Sequence, residues 1–259
     1  MKITVNGAAK GPKSAALPLT TLSYGSGTAT LVRAETERRP TVLGLVASGR
    51  MRPDTGTVLV DGEHDPGLIR RAIALVDAPE VSEPAGDVTV AGVVAEELMF
   101  AGKPSHPLAV SRKLAELGYA RFARTSIGDV EPAVRIRLLT ELAVLRPGVE
   151  GLVITAPDRH GGDPMAWWTI ANDLAARGFA VLVVAGEASA AAIGASAMIE
   201  RMQQTDEQSR PREHAEPAEP ADQPEPTGQP DPAGQPEPAD QPAPADQPDP
   251  AESTGAHEA

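Results

Sequence analysis

Residues that could do chemistry are sparse in this chain, and they gather in one short stretch. Asp158-Arg159-His160-Gly161-Gly162-Asp163 brings carboxylates, a guanidinium and an imidazole together directly after the apolar run Gly151 to Thr155. α/β proteins place ligands just beyond the carboxyl ends of such strands, and His160 with Asp158 or Asp163 could bind a metal. The plainer reading is a helix-initiating loop, in which Asp163 caps a helix begun by Pro164. His64, His106, His214 and His257 are scattered in polar contexts without ligand spacing. There is no cysteine, so disulfides and thiolate metal sites are excluded. Tyr24-Gly25-Ser26-Gly27 reads as a turn before a strand, and its Gly-x-Gly is too short for a nucleotide fingerprint. Trp167 and Trp168 fall about 100° apart on a helix, so one can pack in the core while the other lies near the surface.

Charge divides the chain into two parts. From Gln203 onward there are 14 acids and two bases, Arg210 and Arg212; Met1 to Met202 carries 22 acids and 21 bases. A near-neutral body with an acidic tail is a poor partner for nucleic acid, which requires clustered Lys and Arg. The division predicts a folded domain over 1–202 and a disordered acidic tail over 203–259. Residues 203–259 hold 13 of the 26 prolines, and Gln-Pro-x-Pro recurs at Gln223, Gln229, Gln235, Gln241 and Gln247. Such a segment cannot bury enough apolar surface to offset its ordering entropy, and its prolines favour an extended polyproline coil. A proline-recognition groove is the sharper alternative for it. No basic start followed by an apolar run appears at Met1, and Phe179 to Ile199 is broken by Gly186-Glu187. That stretch reads as a strand and a helix and not as a membrane span, and a cytoplasmic location is expected.

Strands are predicted at Lys2 to Val5, Thr28 to Arg33, Thr57 to Val60, Ala72 to Asp77, Gly151 to Thr155 and Ala180 to Ala185. The last two are continuous apolar runs, the pattern of strands covered on both faces. Between them, Val134, Leu138, Leu142 and Leu145 share one face of a helix over Ala133 to Leu145. A second helix starts at Asp163-Pro164 and stops at Arg177-Gly178. Alternating strands and helices imply parallel pairing with right-handed crossovers, an α/β fold.

Leu31 to Gly62, LVRAETERRPTVLGLVASGRMRPDTGTVLVDG, resembles the start of an ATP-binding cassette, the nucleotide-binding subunit of ABC transporters. Pro53-Asp54-Thr55-Gly56 matches that family's turn, followed by Val58, Val60 and Asp61-Gly62. Arg71 to Val76 resembles the strand before its glutamine loop, Val88 to Leu98 the start of its helical subdomain, and Leu152-Val153-Ile154 its second nucleotide-site strand. The resemblance covers most of Thr28 to Glu187. It implies a P-loop-NTPase-like cassette, with a mostly parallel sheet flanked by helices.

The chemistry that the family places on this frame is missing. A phosphate loop G-x-x-x-x-G-K-S/T needs glycines for close backbone approach, a lysine for the phosphate oxygens and a hydroxyl for magnesium. Those positions fall on Arg33, Thr36 and Arg38 for glycine, on Arg39 for lysine, and on Pro40 for the hydroxyl. Glu35 and Glu37 place negative charge where a triphosphate would sit. Arg39 and Thr41 are the remnants that could touch a nucleotide. The loop glutamine aligns with Ala78, the metal-binding Asp and catalytic Glu with Thr155 and Ala156, and the switch histidine with Gly186. The signature loop has no clean match; Ser126-Ile127-Gly128-Asp129 is the nearest candidate.

Two functions follow from the resemblance. The first is a non-hydrolytic scaffold or regulatory partner of an integral membrane protein, without cofactor, peripheral to the inner face of the membrane. It could pair with another cassette as a homo- or heterodimer. Contacts would come from Leu98, Met99 and Phe100 in the membrane-protein groove, and from His160 and Asp163 at the dimer-facing loop. The second is a divergent transporter ATPase using Mg-ATP, with Arg39 in place of lysine. A third reading, an unrelated α/β enzyme with a metal at His160, rests on the Asp158 to Asp163 loop alone.

Overall fold

The computed structural model describes residues 1–35, 38–196 and 198. The expected tail over 203–259 and the domain boundary at 202 lie outside the described residues.

The chain begins with β1 (Lys2–Lys10), β2 (Leu17–Gly25) and β3 (Ala29–Arg33), followed by α1 (Arg39–Ala47) and β4 (Thr55–Val60). Next, α2 (Pro66–Ala72) leads directly into β5 (Ile73–Val76). The helices α3 (Val90–Phe100), α4 (Pro107–Glu116) and α5 (Pro132–Ala143) precede β6 (Gly151–Thr155), α6 (Pro164–Ala176) and β7 (Ala180–Ala185). Residues 187–196 are helical. No helix among the described residues is long and apolar enough to cross a membrane.

Two sheets form. The parallel one has the order β3-β7-β6-β5, and the antiparallel one β2-β1-β4. Period-two alternation assigns each parallel strand to both cores. Along β7, Val181, Val183 and Ala185 join the core with α3, α5 and α6, whereas Ala180, Leu182 and Val184 face the core shared with α1 and the antiparallel sheet. Every residue of β6 and β7 is buried. This is why these strands read as unbroken apolar runs: no face is left for water.

The helices follow the sequence signals closely. In α5, Leu138 and Leu142 are fully buried, with Val134 and Leu145 packed at the margin of the same core. Asp163 caps α6 by accepting from the Met165 amide at 2.9 Å, and Gly178 takes φ +95° just past its end. Trp167 is 1% exposed, while Trp168 packs half-buried at the core edge. α1 is joined to the antiparallel sheet by Tyr24, whose hydroxyl donates to the Ala47 carbonyl at 2.8 Å. Burial pushes the Tyr24 phenol well above its ordinary pKa.

The structure corrects the sequence reading in the first strands and at Gly56. The expected first strand extends to Lys10, and with β4 it belongs to the separate antiparallel sheet and not to the parallel one. A strand not foreseen, β2, pairs with β1 along an edge; its outer face carries an exposed Leu19, so it lacks a clean apolar alternation. Tyr24 and Gly25 close that strand, and the turn comes after them. Gly56, expected in the turn, stands within β4 at φ +75°. A Cβ there would lie 2.3 Å from the carbonyl oxygens of Asn6 and Gly7, so glycine is required where β1 bulges against β4.

Helix α1 packs closely against the parallel sheet at Gly44. A Cβ at this position would lie 2.7 Å from Thr155 Oγ1 and 3.2 Å from Leu75 Cδ1. Gly44→Ala is expected to destabilise the protein by about 1–3 kcal/mol through overpacking. In a Thr155→Ala background most of that loss should disappear. Urea denaturation of the two single variants and the double variant measures both effects.

Candidate functional site

The parallel strands end at a cleft of about 330 Å³ lined by Glu35, Pro40, Thr41, Ala156, Asp158 and Gly186. Its location follows from topology: loops leaving the carboxyl ends of β3, β6 and β7 converge where the strand order allows them to separate. Two carboxylates of the chain itself bind the amides on one wall. Glu35 Oε1 accepts from the Glu187 amide at 2.7 Å, and Asp158 Oδ2 accepts from the Gly186 amide at 2.8 Å. These amides open the helix at 187–196, where exposed N–H groups and the helix dipole favour negative charge. Glu187 in turn pairs with Arg33 at 2.7 Å.

The opposite wall is the start of α1. Arg38 stands at its N-cap without a side-chain cap bond, and Pro40 occupies the first turn, where it offers no amide hydrogen. Thr41 is 9% exposed and lines the cleft. Arg39 Nε is buried without a hydrogen-bond partner among the described residues. Thr36 and Glu37 lie outside the described residues.

The remaining family positions are apolar or turned away. Thr155 is fully buried, and its hydroxyl faces Gly44 of α1 with no hydrogen-bond partner among the described residues. Ala156 faces the cleft in a left-handed conformation, φ +47° and ψ +53°. Gly186 contributes only its backbone. Ala78 is fully buried beneath the loop that follows β5.

Next to the cleft lies a polar cluster that sequence reasoning missed. Asp77, at φ +55° directly after β5, has a fully buried carboxylate. Arg135 of α5 grips both its oxygens, Nη2 to Oδ1 at 2.7 Å and Nε to Oδ2 at 3.2 Å, while Nη1 donates to the Ile127 carbonyl at 3.2 Å. Arg159 lies 3.1 Å from Asp77 Oδ1 and 2.9 Å from Glu83. It also donates to the carbonyls of Thr155 and Ala156 at 3.0 and 3.1 Å. His160 Nε2 is 2.8 Å from Asp77 Oδ2. Burial raises the Asp77 pKa, but hydrogen bonds from His160 and Arg135, with the Arg159 and Arg135 charges, outweigh it and hold the carboxyl below its ordinary value. The only sequence signal was a carboxylate at a strand's carboxyl end, since Arg135 and His160 lie 58 and 83 residues away in the chain.

The Asp158 to Asp163 loop therefore divides its polar groups instead of pooling them. Asp158 binds the Gly186 amide, His160 turns inward to Asp77, and Asp163 caps α6. The metal pairing of His160 with Asp158 or Asp163 is not formed, and among the described residues no group of three or more His, Asp or Glu is arranged to hold a metal. Of the expected partner contacts, Leu98 is corrected: it is 3% exposed and belongs to the helical core, because α3 turns that face toward α5. Met99 and Phe100 are exposed, at 60% and 58%. Ser126 to Asp129 is no open loop, since Ile127 is fully buried and the Gly128 amide donates to the Gly86 carbonyl.

No protein-family model matches this chain, and no curated protein matches it. Solved structures do. The chain is similar to MJ0796, a dimeric bacterial ABC transporter cassette, at TM-score 0.53 and 17% identity over 71% of this chain and 88% of that one. It is similar to MJ1267, an ATP-binding cassette of an ABC transporter, at TM-score 0.51 and 17% identity over 72% and 81%. It is also similar to cbiO1 from Clostridium perfringens, part of the ABC transporter complex cbiONQ, at TM-score 0.50 and 14% identity over 71% and 77%. The fold is that of the ABC ATPase cassettes.

Asp77→Asn leaves the Arg135 guanidinium, 4% exposed, without its counter-charge, and is expected to cost about 3–5 kcal/mol. Because the folded-state pKa of Asp77 is depressed, its contribution is fully present above the unfolded value of about 3.9 and is lost as pH falls through the lower folded value. Urea denaturation across that window should show a steeper acid loss in the wild type than in Asp77→Asn.

Proposed function

We propose that this chain is a non-hydrolytic cassette subunit, which acts as a scaffold or regulatory partner of an integral membrane protein. The observation that carries the reading is the filling of the cleft by the chain's own charges. Glu35 and Asp158 bind the amides of Glu187 and Gly186, so an incoming phosphate would meet carboxylates where it needs donors. Phosphoryl transfer depends on positioned metal and electrostatic stabilisation. The residues present do not fit Mg-ATP: Pro40 cannot ligate magnesium, Thr155 points at α1, and Ala156 has no group to act on water.

Docking to a membrane partner is supported by exposed apolar side chains on the loop from β5 to α3 and in the last turn of α3. Val81, Val88 and Met99 are 51%, 36% and 60% exposed, a surface suited to protein contact. The cbiO1 neighbour is part of a transporter complex and the MJ0796 neighbour is dimeric; by analogy this chain would be peripheral to the inner face of the membrane and could pair with a second cassette. His160 is committed to Asp77, so Asp163 is the residue of that loop left for a dimer contact.

A second reading, a divergent transporter ATPase, is favoured by one observation. Arg39 Nε is buried without a partner among the described residues, and Arg39 lines a neighbouring pocket that shares Ala34 and Glu35 with the cleft. A guanidinium there could take an anion.

Isothermal titration of Mg-ATP into the folded chain is expected to show no saturable binding, and a phosphate-release assay no turnover. Micromolar binding together with release abolished by Arg39→Ala would replace the first reading by the second.

A further inference from the structure

At the other end of the parallel sheet lies a second cavity, about 440 Å³ in volume, walled by Arg50, Arg70, Arg71, Arg146, Phe100 and Glu150. It opens where β5 and β6 begin, whereas the nucleotide-type cleft lies where they end. The four or five residues of these strands separate the two by about 15 Å at ~3.3 Å per residue.

Four arginines line the cavity, and one of them is held in an ion pair. Arg146 is paired with Glu97, Nη2 to Oε1 at 2.7 Å and Nε to Oε2 at 3.2 Å, and sits 5.5 Å over the Phe100 ring. Arg50 is oriented by backbone carbonyls alone: Nη1 donates to Ile73 at 2.8 Å and Ser48 at 3.1 Å. Arg70 reaches only the Gly49 carbonyl, at 3.4 Å. Among the described residues, Arg50, Arg70 and Arg71 form no ion pair within 4 Å and the Arg71 side chain makes no hydrogen bond, although the Asp65 carboxylate stands near Arg70 and Arg71: the Cβ position at Gly67 lies 3.2 Å from Asp65 Oδ1, 3.4 Å from Arg71 Nη1 and 4.0 Å from Arg70 Nη2. Glu150 is the one acid on the wall, and it is not paired with any of them. Burial, then the charges of Arg146 and Arg70, depress the pKa of Arg50, with Tyr24 acting in the opposite direction.

Like charges around one cavity repel, and an anion that joins them relieves the repulsion. Carbonyl-anchored guanidiniums are pre-oriented donors, and their planar forks match phosphate oxygens. The volume lies within the range of small-ligand pockets. Leu68, 40% exposed, and Phe100 give the cavity an apolar rim. We infer that this arginine-walled cavity is an anion site for a phosphorylated ligand, independent of the cleft at the opposite end of the sheet. A compact phosphate-bearing metabolite and the phosphate headgroup of an anionic lipid share this chemistry.

Two probes test it on the full chain at low ionic strength: inorganic pyrophosphate by isothermal titration, and co-sedimentation with phosphatidylglycerol vesicles against phosphatidylcholine vesicles. Saturable pyrophosphate binding without vesicle preference supports the site with a free phosphate ligand. Selective binding to phosphatidylglycerol vesicles supports it with a lipid headgroup. In either case Arg70→Glu/Arg71→Glu, and Arg71→Glu alone should the double variant unfold, must weaken binding at least tenfold, and Arg39→Ala must leave it unchanged. Absence of binding by both probes overturns the inference. So does binding that survives the Arg71 variants or is lost in Arg39→Ala, because the anion would then sit elsewhere. Neither result bears on whether the opposite cleft hydrolyses ATP.

Discussion

The buried carboxylate of Asp77 is the contact on which the site end of the molecule depends. It joins three segments that share no local sequence: the exit of β5, the first turns of α5, and the loop between β6 and α6. A carboxylate removed from water is costly unless it is paired and fully hydrogen-bonded. Here Arg135 supplies two bonds, and Arg159 and His160 complete the set. The demand is reciprocal, since Arg135 is as buried as its partner. Together these groups define how the helical layer meets the sheet, and they draw His160 away from any ligand it could have bound with Asp158 or Asp163.

The cleft beside this cluster is shaped by the same logic. Helix starts and strand ends leave amides that must be satisfied. In this chain Asp158 and Glu35 satisfy those of Gly186 and Glu187 from within. At the other end of the sheet the balance shifts: carbonyls orient Arg50, Glu97 pairs with Arg146, and Arg70 and Arg71 are left without an ion pair among the described residues. One molecule thus presents carboxylates bound to its own amides at one end of the strands and an arginine-lined cavity at the other.

Much of the architecture was legible in the residues because it is local. Unbroken apolar runs gave β6 and β7 within their observed bounds, and Asp163-Pro164 and Gly178 bracketed α6. The edge strand β2 escaped because its outer face is exposed and its pairing with β1 is not written in its own pattern. The separation into two sheets escaped for a similar reason. Strand residues state their periodicity, but not whether the neighbour runs parallel or antiparallel.

The sequence by itself determined the α/β alternation, the cap at Asp163, and which side chains stand at the positions a nucleotide would need. Tertiary structure decided where the charges go. It sent His160 to Asp77, buried Leu98, turned Thr155 toward Gly44 and collected four arginines around one cavity. The physical reason is that capping and periodicity act within a few residues, whereas a buried charge finds its partner through space, across 58 or 83 positions of chain that carry no mark of the pairing.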